Sequence, residues 1–283
     1  MVGAFFKKLI RSIQVFVPGL AEAKSVAHRW FYRCTGCLFK ADYGGLAHFP
    51  WRAKLLVDIG ANRAQSIVAF QNAVPDCQIV AFEANAFLAD RLTARFADSG
   101  RVRIEACALA AVPGSVTLYI PSYNGWPFDG LASLHRREAE GWLNANRLYW
   151  FDPQKLVIRE SRVPATTLDS YGLEPVFMKL HVQRSEIEVL QGAGETLRKH
   201  RPVLLCAYPW DALIEFLARR GYEPHAFDRG RFIADKLGRE FTWFLLDEHV
   251  TALGNRVVAS RKDQVSAVTR NMALEVEQTV MRS

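Results

Sequence analysis

From Lys54 onward, short apolar runs alternate with stretches in which apolar residues recur every three to four positions. KLLVDIG (54–60) is apolar through its centre and closes on Asp and Gly, as a strand buried on both faces does. Residues 62–73 carry the helical period and stop at Pro75-Asp76. QIVAFEA (78–84) is a second buried strand, and residues 86–98 place Phe87, Leu88, Leu92 and Phe96 on one helix face. VRIEACAL (102–109) reads as a third strand, and SVTLYI (115–120) as an alternating one after Gly114. Residues 121–152 are irregular and rich in aromatics, too long for a tight connection. KLVIRESRVPATTLDSY (155–171) holds one or two strands. PVFMKLHV (175–182) is the next core strand, followed by a helix from Ser185 to about His200. RPVLLCAY (201–208), a helix to Arg220, and the pair YEPHAF (222–227) and FTWFLL (241–246) complete the pattern, before a polar, loosely helical tail over 263–283.

Alternation of strand and helix predicts an α/β fold, a mostly parallel sheet with helices on both faces. Such sheets bind ligands beyond the carboxyl ends of their strands, at the point where strand order reverses. The expected division is a basic amphipathic amino-terminal region (1–50), a main domain (51–247) and a polar carboxy-terminal extension (248–283).

Composition changes the picture mainly at the amino terminus. Of the net charge of +7, nearly all sits in the first forty residues, where Lys7, Lys8, Arg11, Lys24, Arg29, Arg33 and Lys40 face only Glu22. Such a patch fits a solvated helix face or an anionic partner surface. Phe5, Phe6, Leu9, Ile10, Ile13, Phe16 and Val17 fall at helical spacing among these charges. The segment either lies at a membrane interface, giving peripheral contact, or docks on the domain. It lacks the clean apolar region of a signal peptide, and no run approaches the ~18 apolar residues of a membrane span. Five cysteines, an odd number, suit a reducing cytoplasm better than a disulfide framework. CTGC (Cys34, Cys37) lacks the second ligand pair of a structural zinc site and reads as a chance pair. Cys77, Cys107 and Cys206 belong in the core.

The candidate chemistry lies at strand ends. In VDIGANRAQS (57–66), Gly60 permits a sharp turn and close ligand approach, and the helix amino terminus behind it offers free N–H groups. Only Gly60 is glycine, with Asn62 and Ala64 at the other small positions, so a dinucleotide fits poorly. Glu83, 25 residues after Asp58, can hold both ribose hydroxyls, while Asp58 can hold an amino group. An amino acid at one end and a ribose at the other describe S-adenosylmethionine. The plainer alternative is that strand-end acids only cap helices.

Several stretches together resemble the FkbM-type methyltransferases: VDIGANRAQS, VAFEANAFLADRL (80–92), ALAAVPGSVTLYIP (108–121), GLASL (130–134), VPATTLDSY (163–171), MKLHVQRSEIEVLQGAGETL (178–197) and RPVLLCAY, in that order. The resemblance implies a Rossmann-like class I methyltransferase fold, S-adenosylmethionine as donor, and methylation of a hydroxyl on a sugar, polysaccharide or secondary metabolite. It places Asp58, Gly60, Asn62 and Glu83 at the donor. Where the family pattern reads K-x-D-V-E-G-x-E, this chain has Lys179, His181 for the aspartate, Gln183 for the first glutamate, Arg184 for the glycine, and Glu186. Ala207 stands where the fifth strand usually ends in an acid, Ala64 where glycine is usual, and Ala84 where proline is usual.

A hydroxyl acceptor needs a base. With the acids gone, hard-cation binding is largely lost, so no metal is expected. His181, with an ordinary value near ~6.5, can take the base's place. Strand alternation would set His181 and Gln183 on one face, and Lys179 completes the candidate catalytic set. Arg184 suits an anionic acceptor, and Trp126, with Tyr123, Phe128, Trp142, Tyr149 and Trp150, can stack on a sugar or form a hydrophobic lid. The chain is then an O-methyltransferase taking a glycan or small-molecule acceptor, or a catalytically degenerate member acting as a binding scaffold. The absence of a D/N-P-P-Y/F motif, and basic residues placed away from the site, argue against nucleic acid.

Overall fold

The structure is a computed structural model that describes residues 8–10, 12–13 and 41–259. β1 (Leu55–Ile59), β2 (Gln78–Phe82), β3 (Val102–Glu105), β8 (Phe177–Leu180) and β9 (Val203–Ala207) pair in parallel in the order β3-β2-β1-β8-β9. β12 (Phe241–Leu245) runs antiparallel between β9 and β10 (Glu223–Asp228). β11 (Arg231–Ala234) and β13 (Val257–Val258) finish a nine-stranded sheet. The chain winds from β1 outward through β2 to β3, then returns beyond β1 to β8. The order therefore reverses between β1 and β8, and a crevice opens at their carboxyl ends.

The central strands are buried at nearly every position because helices cover both faces. Alternate residues feed two cores. Leu56, Phe177 and Leu205 face α1 (Gln65–Ala73) with Ile67, Phe70 and Trp243. Val57, Met178 and Leu204 face Val189, Leu190 and Leu217 on the other side. α2 (Ala86–Phe96) packs beside β3.

A second sheet carries at its tip the segment expected to be irregular, of which 121–123 and 126–127 are strand. β5 (Gly114–Tyr123) and β7 (Leu156–Thr166) form a long antiparallel hairpin from Gly114↔Ala165 to Tyr123↔Leu156. β4 (Ala108–Leu109) and β6 (Trp126–Pro127) flank it. The hairpin tip holds α3 (Arg136–Trp142), and Tyr123, Leu143 and Leu148 make a small core of their own with Phe128 and Trp142.

Three sequence expectations change. The third strand breaks after Glu105, because β3 stays in the first sheet while β4 joins the second. The helix expected from 185 to 200 is two, α4 (Glu186–Gln191) and α5 (Gly194–His200). They part at Gly192, where a Cβ would stand 2.0 Å from the Ala110 carbonyl oxygen. Elements outside the 51–247 span also join the fold. The 3₁₀ turn Ala41–His48 buries Tyr43 and Leu46, and the Asp42 carbonyl accepts Trp243 Nε1–H at 3.0 Å. Beyond α6 (Asp211–Ala218), α7 (Asp247–Leu253) leads to β13.

Of the amino-terminal segment, Lys8 donates to Ala145 O at 2.7 Å and lies over the Tyr149 ring, and buried Ser12 accepts Tyr149 N–H at 2.8 Å. These described residues dock on the hairpin tip. Cys34, Cys37 and the 263–283 tail lie outside the described residues. Among the described residues no helix is long and apolar enough to cross a membrane.

Candidate active site

The crevice holds a cleft lined by the turns after β1, β2, β3 and β8, with the segment 129–134 across its mouth. Gly60 sets its floor. Its φ is +82°, and a Cβ would lie 2.3 Å from the His181 carbonyl oxygen. Only glycine lets the ends of β1 and β8 close this far, and His181 N–H donates to Ile59 O at 3.0 Å across the gap.

Asn62 and Ala64 follow with φ of 49° and 68°, both left-handed. Ala64, standing at the family's glycine position, thus keeps the glycine-like backbone, and departs from glycine only in carrying a Cβ in that left-handed conformation. This coiled turn aims Asn62 N–H at Glu83 Oε2 (2.7 Å), while Asn85 N–H reaches Glu83 Oε1 (2.9 Å). Glu83 therefore does cap backbone groups. A carboxylate offers about four acceptor sites, so each oxygen retains a lone pair for a ligand. Burial pushes its carboxyl above the usual range, partly offset by the two backbone N–H groups.

Asp58 and Lys179 lie beneath the cleft and do not line it. Their side chains are 0% and 3% exposed, with Lys179 Nζ 2.9 Å from Asp58 Oδ1. Ser66 Oγ–H donates to Asp58 Oδ2, and Lys179 Nζ also donates to Gly60 O at 2.8 Å. The pair braces the loop from below. In that position Asp58 meets a ligand only through other groups, and Lys179 is a support for the turn rather than a group facing the cleft.

β8 ends at Leu180, so His181 to Arg184 form a turn instead of continuing the strand. The alternation expected there fails, yet His181 and Gln183 do meet, Nε2 to Nε2, at 3.2 Å. Gln183 and Arg184 have φ of 53° and 78°; Arg184 occupies a glycine-type conformation as Ala64 does. Arg184 lies in the turn before α4, which begins at Glu186. Its guanidinium lies 4.7 Å from the centre of the Trp210 ring, with Glu138 at 4.0 Å. Arg184 and Trp126 do not line the cleft. Beside it, Tyr208 is 59% exposed with φ of 45°, and its ring stands against His181.

Sequence reasoning passed over four residues. Asp129, nearly buried, bonds Arg63 at 2.6 Å and Asn85 at 3.4 Å. Ser133 Oγ–H donates to Gln183 O at 2.8 Å, and the Gln183 amide donates to Gly130 O at 3.2 Å. The segment 129–134 thus ties the β2 rim to the β8 rim. Its GLASL motif was the available signal, without a role attached. Ser185, 1% exposed, lines the cleft with an Oγ that has no hydrogen-bond partner. Cys107 lines the far wall, its thiol pushed up by burial. Among the described residues no group of three His, Cys, Asp or Glu side chains is placed to hold a metal ion.

A mostly parallel sheet wound both ways from β1, an antiparallel strand between β9 and β10, and a cleft at the reversal define a Rossmann-like protein of the class I methyltransferase type. The Methyltransferase FkbM domain profile matches residues 58–229, and the chain belongs to that family. No curated protein sequence matches. Among solved structures, similarity extends to an FkbM methyltransferase from Methylobacillus flagellatus KT (15% identity, 68% of this chain and 44% of that one, TM-score 0.43). It also extends to a precorrin-6y C5,15-methyltransferase from Geobacter metallireducens GS-15 (12% identity, 71% and 82%, TM-score 0.35). A third is an O-methyltransferase of neocarzinostatin biosynthesis in complex with S-adenosylmethionine and a naphthoic acid (12% identity, 82% and 59%, TM-score 0.38). The chain spans less than half the length of the Methylobacillus protein.

Proposed function

We propose that the cleft takes S-adenosylmethionine and that the chain methylates a hydroxyl of a sugar, polysaccharide or secondary metabolite. The observation that carries this is a pair of buried, partnerless polar atoms, Asn62 Oδ1 and Ser185 Oγ, both on residues lining the cleft that also holds Glu83. Buried polar atoms without partners are costly, and a polar ligand resolves both. Phe82, Ala108, Leu109, Leu118 and Leu134 supply apolar walls suited to a nucleoside base. The residues present therefore fit the donor: Glu83 for the ribose hydroxyls, the Gly60–Asn62 turn and Ser185 for the remaining polar groups.

The donor supplies a methyl group on a sulfonium, already activated, so the protein's work is positioning and proton removal. His181 stands at the rim, its ring held against Tyr208 and Phe241 at centroid distances of 6.2 and 5.8 Å. It takes the hydroxyl proton as the new C–O bond forms and the methyl–sulfur electron pair leaves with sulfur. Arg184 on Trp210 and the exposed Tyr208 ring offer an acceptor a cation and an aromatic face. The free, buried thiols of Cys77, Cys107 and Cys206 suit a reducing cytoplasm.

The test is transfer of labelled methyl from S-adenosylmethionine to a panel of neutral and acidic saccharides. Incorporation at a hydroxyl is expected, falling about 100-fold in His181→Ala. Donor binding with no transfer to any acceptor would favour the non-catalytic scaffold. Unchanged turnover in His181→Ala would remove it as base.

A further inference from the structure

Gln183 replaces an acid of the family pattern, and its carboxamide has a defined orientation. Its Nε2 donates to Gly130 O at 3.2 Å. Turning the amide over would set two acceptor oxygens against each other, so the carbonyl holds the NH₂ group in place. Ser133 Oγ–H on Gln183 O fixes the backbone of the same residue, which lies in the left-handed region. One N–H of the NH₂ group goes to Gly130 O, and the second is left for His181 Nε2, 3.2 Å away. A donor on Gln183 requires an acceptor on His181.

We infer that Gln183 is a positioning residue that sets the tautomer of His181, holding the imidazole neutral with its proton on Nδ1 and its lone pair on Nε2. Resting on the methyltransferase reading, this has a mechanistic consequence. The Gln183 N–H occupies the place of an acceptor O–H: the hydroxyl displaces it and gives its proton to the same Nε2. A glutamate at this position, as in the family pattern, would do the opposite. A carboxylate accepts, so it draws a proton onto Nε2 and turns the base into a donor. The exchanges at 181 and 183 are therefore matched: histidine at one requires an amide, not an acid, at the other.

The test is long-range ¹H–¹⁵N NMR of the imidazoles in the ligand-free full chain, with His181 assigned by its loss in His181→Ala. The expected spectrum has a pyridine-type Nε2 and a pyrrole-type Nδ1. Gln183→Met, near in volume but without donors, is expected to give a mixture of tautomers, and Gln183→Glu a protonated Nε2. A pyrrole-type Nε2 in the wild type overturns the inference, as does an unchanged Nδ1–H tautomer in Gln183→Met. Once His181 is assigned, the wild-type spectrum decides even if a Gln183 variant fails to fold. It is also independent of whether the donor binds, so its failure is distinguishable from failure of the proposed function. In turnover, Gln183→Glu is expected to fall at least ~100-fold, the worth of a general base.

Discussion

Lys179 and Asp58 are legible in the sequence only as strand-end charges; their relation comes from β8 lying directly beside β1, where Asp58 is registered against Lys179. A buried ion pair is not a source of net stability, yet removing one partner strands the other. Lys179→Met leaves Asp58 fully buried with its charge uncompensated and should cost about 3–5 kcal/mol in chemical denaturation, with part of that recovered when Asp58→Asn is added. Loss of turnover at wild-type stability would instead make Lys179 catalytic. Glu186 is a second buried acid whose role the sequence hid. It accepts Val182 N–H at 2.9 Å, and burial pushes its carboxyl above the ordinary range. The folded state then binds the proton more tightly than the unfolded chain. The stability this contributes is full below the unfolded value near ~4.3 and is lost as pH rises through the higher folded value. Glu186→Gln keeps the acceptor for Val182 and should flatten that part of the stability–pH curve. An unaltered curve would mean that Glu186 ionises normally.

At the scale of elements, apolar runs located the strands of the central parallel sheet because a strand buried on both faces has little freedom of composition. Breaks were invisible where a distant contact causes them. Gly192 ends α4 because the Ala110 carbonyl crowds it, and nothing within the helix encodes that approach. The same holds for Asp169, in the VPATTLDSY motif. Its carboxylate accepts the N–H groups of Glu195 and Thr196 and the Thr196 hydroxyl, capping α5 from outside the helix. Asp169→Ala should destabilise the fold by about 1–2 kcal/mol, measured by urea denaturation, and Asp169→Asn by less. No change in either would show that solvent caps this helix equally well. The left-handed turns at Asn62–Ala64 and Gln183–Arg184 were hidden for another reason: the residues there are not glycine, and the one sign of the conformation is the resemblance, which has glycine where Ala64 and Arg184 stand.

At the scale of the molecule, the alternation of strand and helix was enough to predict an opening at the sheet's reversal point, and the cleft lies there, beyond the carboxyl ends of the parallel strands. The second sheet was missed as a sheet. Its long hairpin is read from pairing between distant residues, from Tyr123↔Leu156 to Gly114↔Ala165, and its strands seen singly are mixed in polarity. That hairpin supplies the segment from Asp129 to Ser133 that ties the two rims together, so the cleft is built by both sheets. The central claim is that this cleft binds S-adenosylmethionine. Its most direct test is calorimetric titration of the purified chain with S-adenosylmethionine, paired with a thermal melt. The account predicts saturable one-to-one binding, weakened in Glu83→Ala, and about 2.7 kcal/mol of added stability at a hundredfold excess over Kd. No heat and no thermal shift at millimolar donor would contradict it.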